Sequence, residues 1–150
     1  MEYTLRLAEP SDKERIEQLF TEMLRSINST DTTEGYDEKY IDTFFTSPHK
    51  RIFVTVINGN VQGYLSVEVH NEHGGFLYLD DFSVAEVYRG KGMGTALIKA
   101  AEEYAHENDI RSIVLHVDVN NLKALQFYEC LGYCIESEEG SRYRMNKVKR

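Results

Sequence analysis

The sequence predicts a mixed α/β fold: a mostly antiparallel central sheet with one parallel β-α-β crossover, flanked by about four helices, in a single domain over 1–150. Three observations lead there. Two β-rich runs, 52–57 and 61–69, are split by Asn58-Gly59-Asn60, where Asn and Gly tolerate the positive φ of a hairpin turn. Two more alternating runs, 76–84 and 112–119, enclose a stretch in which Ala96, Leu97, Ala100, Ala101, Tyr104 and Ala105 recur at helical spacing. A strand–helix–strand unit of that length implies parallel strands. Finally, 150 residues, 41% of them hydrophobic and without a Pro/Gly/Ser linker, are enough for one core that needs neither disulfide nor metal.

The elements follow in order. Tyr3, Leu5 and Leu7 alternate with polar residues as a first strand. Ser11-Asp12-Lys13-Glu14 has the capping-box pattern, and Ile16, Leu19, Phe20, Met23 and Leu24 then follow at helical spacing to about Ser26. Residues 27–35 are polar and turn-rich, and 36–45 form a short second helix with Tyr40, Ile41, Phe44 and Phe45 on one side. After the hairpin, 70–75 make a turn before the strand 76–84. The crossover helix spans about 95–108, 121–131 form a further amphipathic helix ended by Gly132, and 133–136 with 143–147 close as a hairpin.

Charge excludes some classes. Seventeen bases against 25 acids leave a net charge of −8, opposed to non-specific nucleic-acid binding, which needs a basic surface. The excess is uneven: 1–78 carry 13 acids and 7 bases, and Glu34, Asp37, Glu38 and Asp42 cluster where a cationic substrate would be drawn. No apolar run nears the ~20 residues of a membrane span, and the acidic start has no secretory pattern, so a cytoplasmic protein is expected. No metal site is expected, because His70 and His73 have no third ligand at matching spacing. Cys130 and Cys134 are expected as small buried or half-buried thiols, and His116 as a partly buried strand histidine.

The chemistry concentrates at Arg89-Gly90-Lys91-Gly92-Met93-Gly94-Thr95, just before the crossover helix. Glycines that let a phosphate approach the main chain, free N–H groups and the positive helix end together bind an anion. Thr95 stands where the dinucleotide pattern G-x-G-x-x-G needs its last glycine, and the phosphate-binding G-x-x-x-x-G-K-[ST] is absent. What matches is R-x-x-G-x-G. Downstream, 121–133 read N-x-x-A-x-x-F-Y-x-x-x-G-Y.

Both motifs, in this order, resemble the Gcn5-related N-acetyltransferase family over most of the chain. Within it, 77–94, LYLDDFSVAEVYRGKGMG, is similar to the YLED-type strand of the diamine and aminoglycoside branch. The resemblance implies acetyl-CoA as co-substrate. Its pantetheine arm would lie against Phe82, Ser83 and Val84, its diphosphate on Arg89 to Thr95, with Asn121 and Ala124 at its border. It also implies direct transfer to a primary amine, of a small cationic molecule or a protein, and raises a homodimer. Tyr128, at the family's motif tyrosine and one turn after Ala124, would be the acid for the departing thiol. Asp80 stands at the branch's glutamate and would be the base or bind the ammonium, with Asp81 as second choice. Strand alternation would send the two to opposite faces. A rival reading keeps the cofactor site but transfers nothing, as an acyl-CoA sensor.

Overall fold

The computed structural model describes residues 2–28, 38–71 and 75–148. Seven strands form one sheet: β1 (Thr4–Leu7), β2 (Lys50–Ile57), β3 (Asn60–His70), β4 (Phe76–Val84), β5 (Ser112–Asp118), β6 (Cys134–Glu139) and β7 (Arg142–Val148). They lie in the order β1-β2-β3-β4-β5-β7-β6, and β4 with β5 is the parallel pair. The helices are α1 (Lys13–Asn28), α2 (Glu38–Thr46), α3 (Met93–Glu107) and α4 (Leu122–Cys130).

The turn at Asn58 and Gly59 has φ of 51° and 80°, which pairs Ile57 with Asn60 as the dipeptide demands. The entry to α1 differs from the Ser11–Glu14 pattern. A 3-10 turn over Pro10–Asp12 comes first, and the Asp12 carboxylate accepts the Glu9 backbone N–H at 2.8 Å and the Arg6 guanidinium at 2.8 Å. Proline at the first position of that turn moves the cap two residues upstream. The crossover helix begins at Met93 rather than Thr95, because Gly92, at φ 85°, caps it directly. The last hairpin is longer than its alternation suggested, since β6 runs on to Glu139.

The sheet separates two cores. On one face Leu65, Leu77, Leu79, Val84, Leu115 and Val117 pack against Met93, Leu97, Ile98 and Ala101 of α3. On the other, Ile52, Val54 and Tyr64 meet Ile16 and Leu19 of α1 and Ile41 and Phe44 of α2. Burying side chains of this size contributes about 1.5–3 kcal/mol each. α1 packs on β3 and β4 and α2 on β2, so among the described residues no helix covers that second face over β5, β7 and β6.

Arg6 and the Glu9 N–H hold the Asp12 carboxyl below the usual carboxylate range, although burial opposes this. Asp12→Ala should cost about 1–2 kcal/mol at pH 7 by urea unfolding. A depressed folded-state value means the stabilisation is full above about pH 4. The gap between wild type and variant should therefore close as the pH falls further.

Candidate active site

β4 and β5 pair at Leu77 with Ile113 and Tyr78 with Val114, and then diverge. The cause lies across β4. Leu65 of β3 faces Phe82 and Val67 faces Leu79, so Asp80 and Asp81 together oppose Ser66 as a β-bulge. The Ser66 hydroxyl oxygen accepts the Asp81 N–H at 2.9 Å, and the strand bends away from β5. The β4–β5 ladder pairs are Leu77 with Ile113 and Tyr78 with Val114, so the strand end at Phe82, Ser83 and Val84 presents an edge toward β5 that has no ladder partner there among the described residues. Such an edge suits an extended, amide-bearing ligand.

The bulge also overturns the expected alternation. Leu79 and Phe82 share the α3 face with two residues between them instead of one, so Asp80 and Asp81 do not divide between opposite faces. Phe82, Ser83 and Val84 form the strand end at the gap. Phe82 lies against Phe127 of α4 (centroids 6.1 Å apart), Ser83 donates to the Leu19 carbonyl, and the Val84 carbonyl accepts Arg89 Nε–H at 2.8 Å.

The glycine-rich turn opens at the end of β4. Gly90 and Gly92 have φ of 77° and 85°, values that favour glycine. A Cβ on Gly94 would stand 2.8 Å from the Phe82 ring, so the helix start packs directly beneath that side chain. The first bond closing α3 runs from the Ala96 N–H to the Gly92 carbonyl (3.0 Å), leaving the N–H groups of Met93, Gly94 and Thr95 ahead of it for an anion. Lys91 is exposed beside them.

Asn121 caps α4, its side-chain oxygen accepting the Ala124 N–H at 3.1 Å. That bond sets the direction of the helix carrying Tyr128. Tyr128 lies edge-on between Phe127 (5.1 Å) and Tyr133 (5.9 Å), and burial pushes its hydroxyl well above the ordinary tyrosine value. No hydrogen bond occupies that hydroxyl among the described residues, whereas Tyr133 OH donates to Glu102 at 2.9 Å. Glu102 in turn binds Lys147 at 3.2 Å, which also reaches the Leu131 carbonyl at 2.8 Å. These residues lock the turn after α4.

On the opposite face, at the point of divergence, Tyr78 OH lies 2.7 Å from His116 Nδ1, and His116 Nε2 lies 3.2 Å from Glu139 Oε1. Burial raises the Tyr78 hydroxyl first, and the charge of Asp80 adds to it, so both face the same region. This chain was missed in the sequence, where His116 stood alone. Its signal was that Tyr78 and His116 occupy outward positions of strands predicted to be adjacent.

Among the described residues no three His, Cys, Asp or Glu side chains gather as for a metal, and His70 stacks on Phe76 at 4.8 Å. His73 lies outside the described residues. Cys130 and Cys134 are exposed rather than buried, since one ends α4 and the other opens the edge strand β6. Of the acidic cluster, Glu34 and Asp37 lie outside the described residues, and Asp42 binds Lys13 at 3.0 Å. No described helix is long and apolar enough to cross a membrane.

The model of the acetyltransferase (GNAT) family matches residues 20–133. Streptothricin acetyltransferase A of Bacillus subtilis is 30% identical over 94 residues, 62% of this chain and 53% of its own length. N-alpha-acetyltransferase 30 of Schizosaccharomyces pombe is 30% identical over 107 residues, 69% and 71% of the two chains. The chain spans about half the length of the first curated relatives it matches. Among solved structures, a PaiA N-acetyltransferase of Thermoplasma acidophilum in complex with coenzyme A superposes with a TM-score of 0.83 at 18% identity, covering 99% of each chain.

Nothing lies near a Cβ placed on Gly92, so Gly92→Ala tests backbone strain alone. It should lower stability by about 1–2 kcal/mol in urea unfolding.

Proposed function

The chain belongs to the acetyltransferase (GNAT) family, and we propose that it is an acetyl-CoA-dependent N-acetyltransferase acting directly on a primary amine. The observation that carries this is the β4–β5 gap with the glycine turn at its mouth. The edge along Phe82, Ser83 and Val84 is suited to the amides of pantetheine, and the turn from Arg89 through Gly90, Lys91, Gly92, Met93 and Gly94 to Thr95 to the diphosphate. Arg89 helps through position as much as charge, since its Nε–H ties the turn to Val84. Asn121 and Ala124 border the site by setting α4.

Acetyl-CoA supplies an electrophilic thioester. The protein supplies two proton handlers on opposite sides of the sheet. Tyr128, protonated at neutral pH as any tyrosine is and pushed further up by burial, gives its proton to the departing thiolate. On the other face Tyr78 Oη takes a proton from the substrate ammonium as its own passes to His116 Nδ1. The freed nitrogen pair then attacks the carbonyl carbon and the C–S bond breaks; the second proton shed as the amide forms passes through water to restore the Tyr128 hydroxyl, and the first leaves His116 for solvent. In this reading Asp80, with Asp81 beside it, attracts the ammonium rather than serving as the base. Its charge acts on Tyr78, and it lies on the same bulge.

The acceptor is a primary amine of a small cationic molecule or a protein chain. Relatives named for streptothricin and for protein α-amines favour each in turn. A panel of polyamines, aminoglycosides and peptides with free α-amines, followed by thiol release, identifies it.

Tyr128→Phe should lower kcat by about a hundredfold while leaving acetyl-CoA binding intact in calorimetry. An acyl-CoA sensor would bind and release no thiol in either form. Tyr78→Phe should lower kcat similarly, and full activity in that variant would return the base to Asp80.

A further inference from the structure

We propose that Glu139 is a positioning residue for the amine's proton acceptor, holding the His116 ring so that Nδ1 faces Tyr78. This rests on the reading of Tyr78 and His116 given above. An ionised carboxylate only accepts, so Glu139 Oε1 at 3.2 Å requires the proton of neutral His116 to sit on Nε2. Nδ1 is then the acceptor, and the Tyr78 hydroxyl, 2.7 Å away, must donate to it. That leaves the Tyr78 oxygen's lone pairs for a proton arriving from the substrate. When that proton comes, Tyr78 Oη–H forms as the old O–H bond passes its proton to Nδ1. The resulting imidazolium keeps Nε2–H against a negative charge.

Glu139 is itself placed. Its other oxygen accepts the Ser137 hydroxyl at 3.1 Å, and both hydrogen bonds hold its carboxyl below the usual range. Across the sheet His116 stands in register with Arg144, but the Arg144 Nε–H binds Glu136 at 2.8 Å and leaves Glu139 as the carboxylate on His116. Tyr78 from β4, Glu139 from β6 and Arg144 from β7 thus surround the ring. β6 is exposed throughout and lends little to the core, so Glu139 can be replaced with little expected cost to folding.

The test compares Glu139→Ala, Glu139→Gln and His116→Ala, singly and as the E139A/H116A double variant, using acetyl-CoA with spermidine and with a short peptide bearing a free α-amine. E139A should lower kcat by about tenfold, less than loss of the base itself, with KM for acetyl-CoA unchanged. E139Q, which can still accept from Nε2–H, should recover most of it. In the His116→Ala background E139A should change nothing further. The second readout needs no turnover: in proton NMR the His116 Nε2–H should be a protected resonance in wild type and E139Q, and exchange away in E139A. An E139A protein that keeps both kcat and that resonance, or one whose defect persists without His116, overturns the proposal. Full activity in His116→Ala would instead overturn the reading of the base.

Discussion

One extra residue in β4 sets the site. Asp80 and Asp81 oppose the single Ser66, and the bend they cause parts β4 from β5 after two ladder pairs. An unpaired buried N–H costs about 1–3 kcal/mol, and the Ser66 hydroxyl offsets this by accepting from Asp81. The same insertion changes the phase of the strand. Leu77 and Leu79 face α3 before the bulge, and Phe82 and Val84 face it afterwards. Without it Phe82 would turn toward α1, and the tight fit of Gly94 beneath its ring would be lost.

The two faces of the sheet then take different duties. The α3 side is apolar, and it surrounds Tyr128 with Phe127 and Tyr133, so burial pushes that hydroxyl further above the ordinary tyrosine value. The far side over β4, β5, β7 and β6 carries Tyr78, His116, Glu139 and Arg144, whose polar contacts are partly open to water. The two tyrosine hydroxyls differ in their neighbours: Tyr128 is packed among rings, whereas Tyr78 is hydrogen-bonded to an imidazole, and in the proposed reaction the first gives a proton and the second relays one.

Much of this was legible in the sequence. The Asn58-Gly59 hairpin, the crossover helix and the mixed sheet follow from local chemistry and hydrophobic period, and the glycine turn stands at the predicted helix start. What escaped depends on pairing between distant strands. Strict alternation cannot reveal a bulge, because nothing in Asp80-Asp81 says that they share one partner. The α1 cap was misplaced because Arg6, six residues earlier, binds Asp12 and draws it into the turn begun by Pro10. His116 gains meaning only when Tyr78 and Glu139 are brought to it by two neighbouring strands. Glu139 was further hidden because β6 was expected to end at 136.

The proposed transfer depends on acetyl-CoA entering between β4 and β5, and amide hydrogen exchange with and without acetyl-CoA tests this directly. Binding should slow exchange at Phe82 to Val84 and at Met93 to Thr95, with little change in α1 or α2. Saturable binding that leaves both segments unprotected, or no binding, would contradict the placement of the cofactor and the chemistry built upon it.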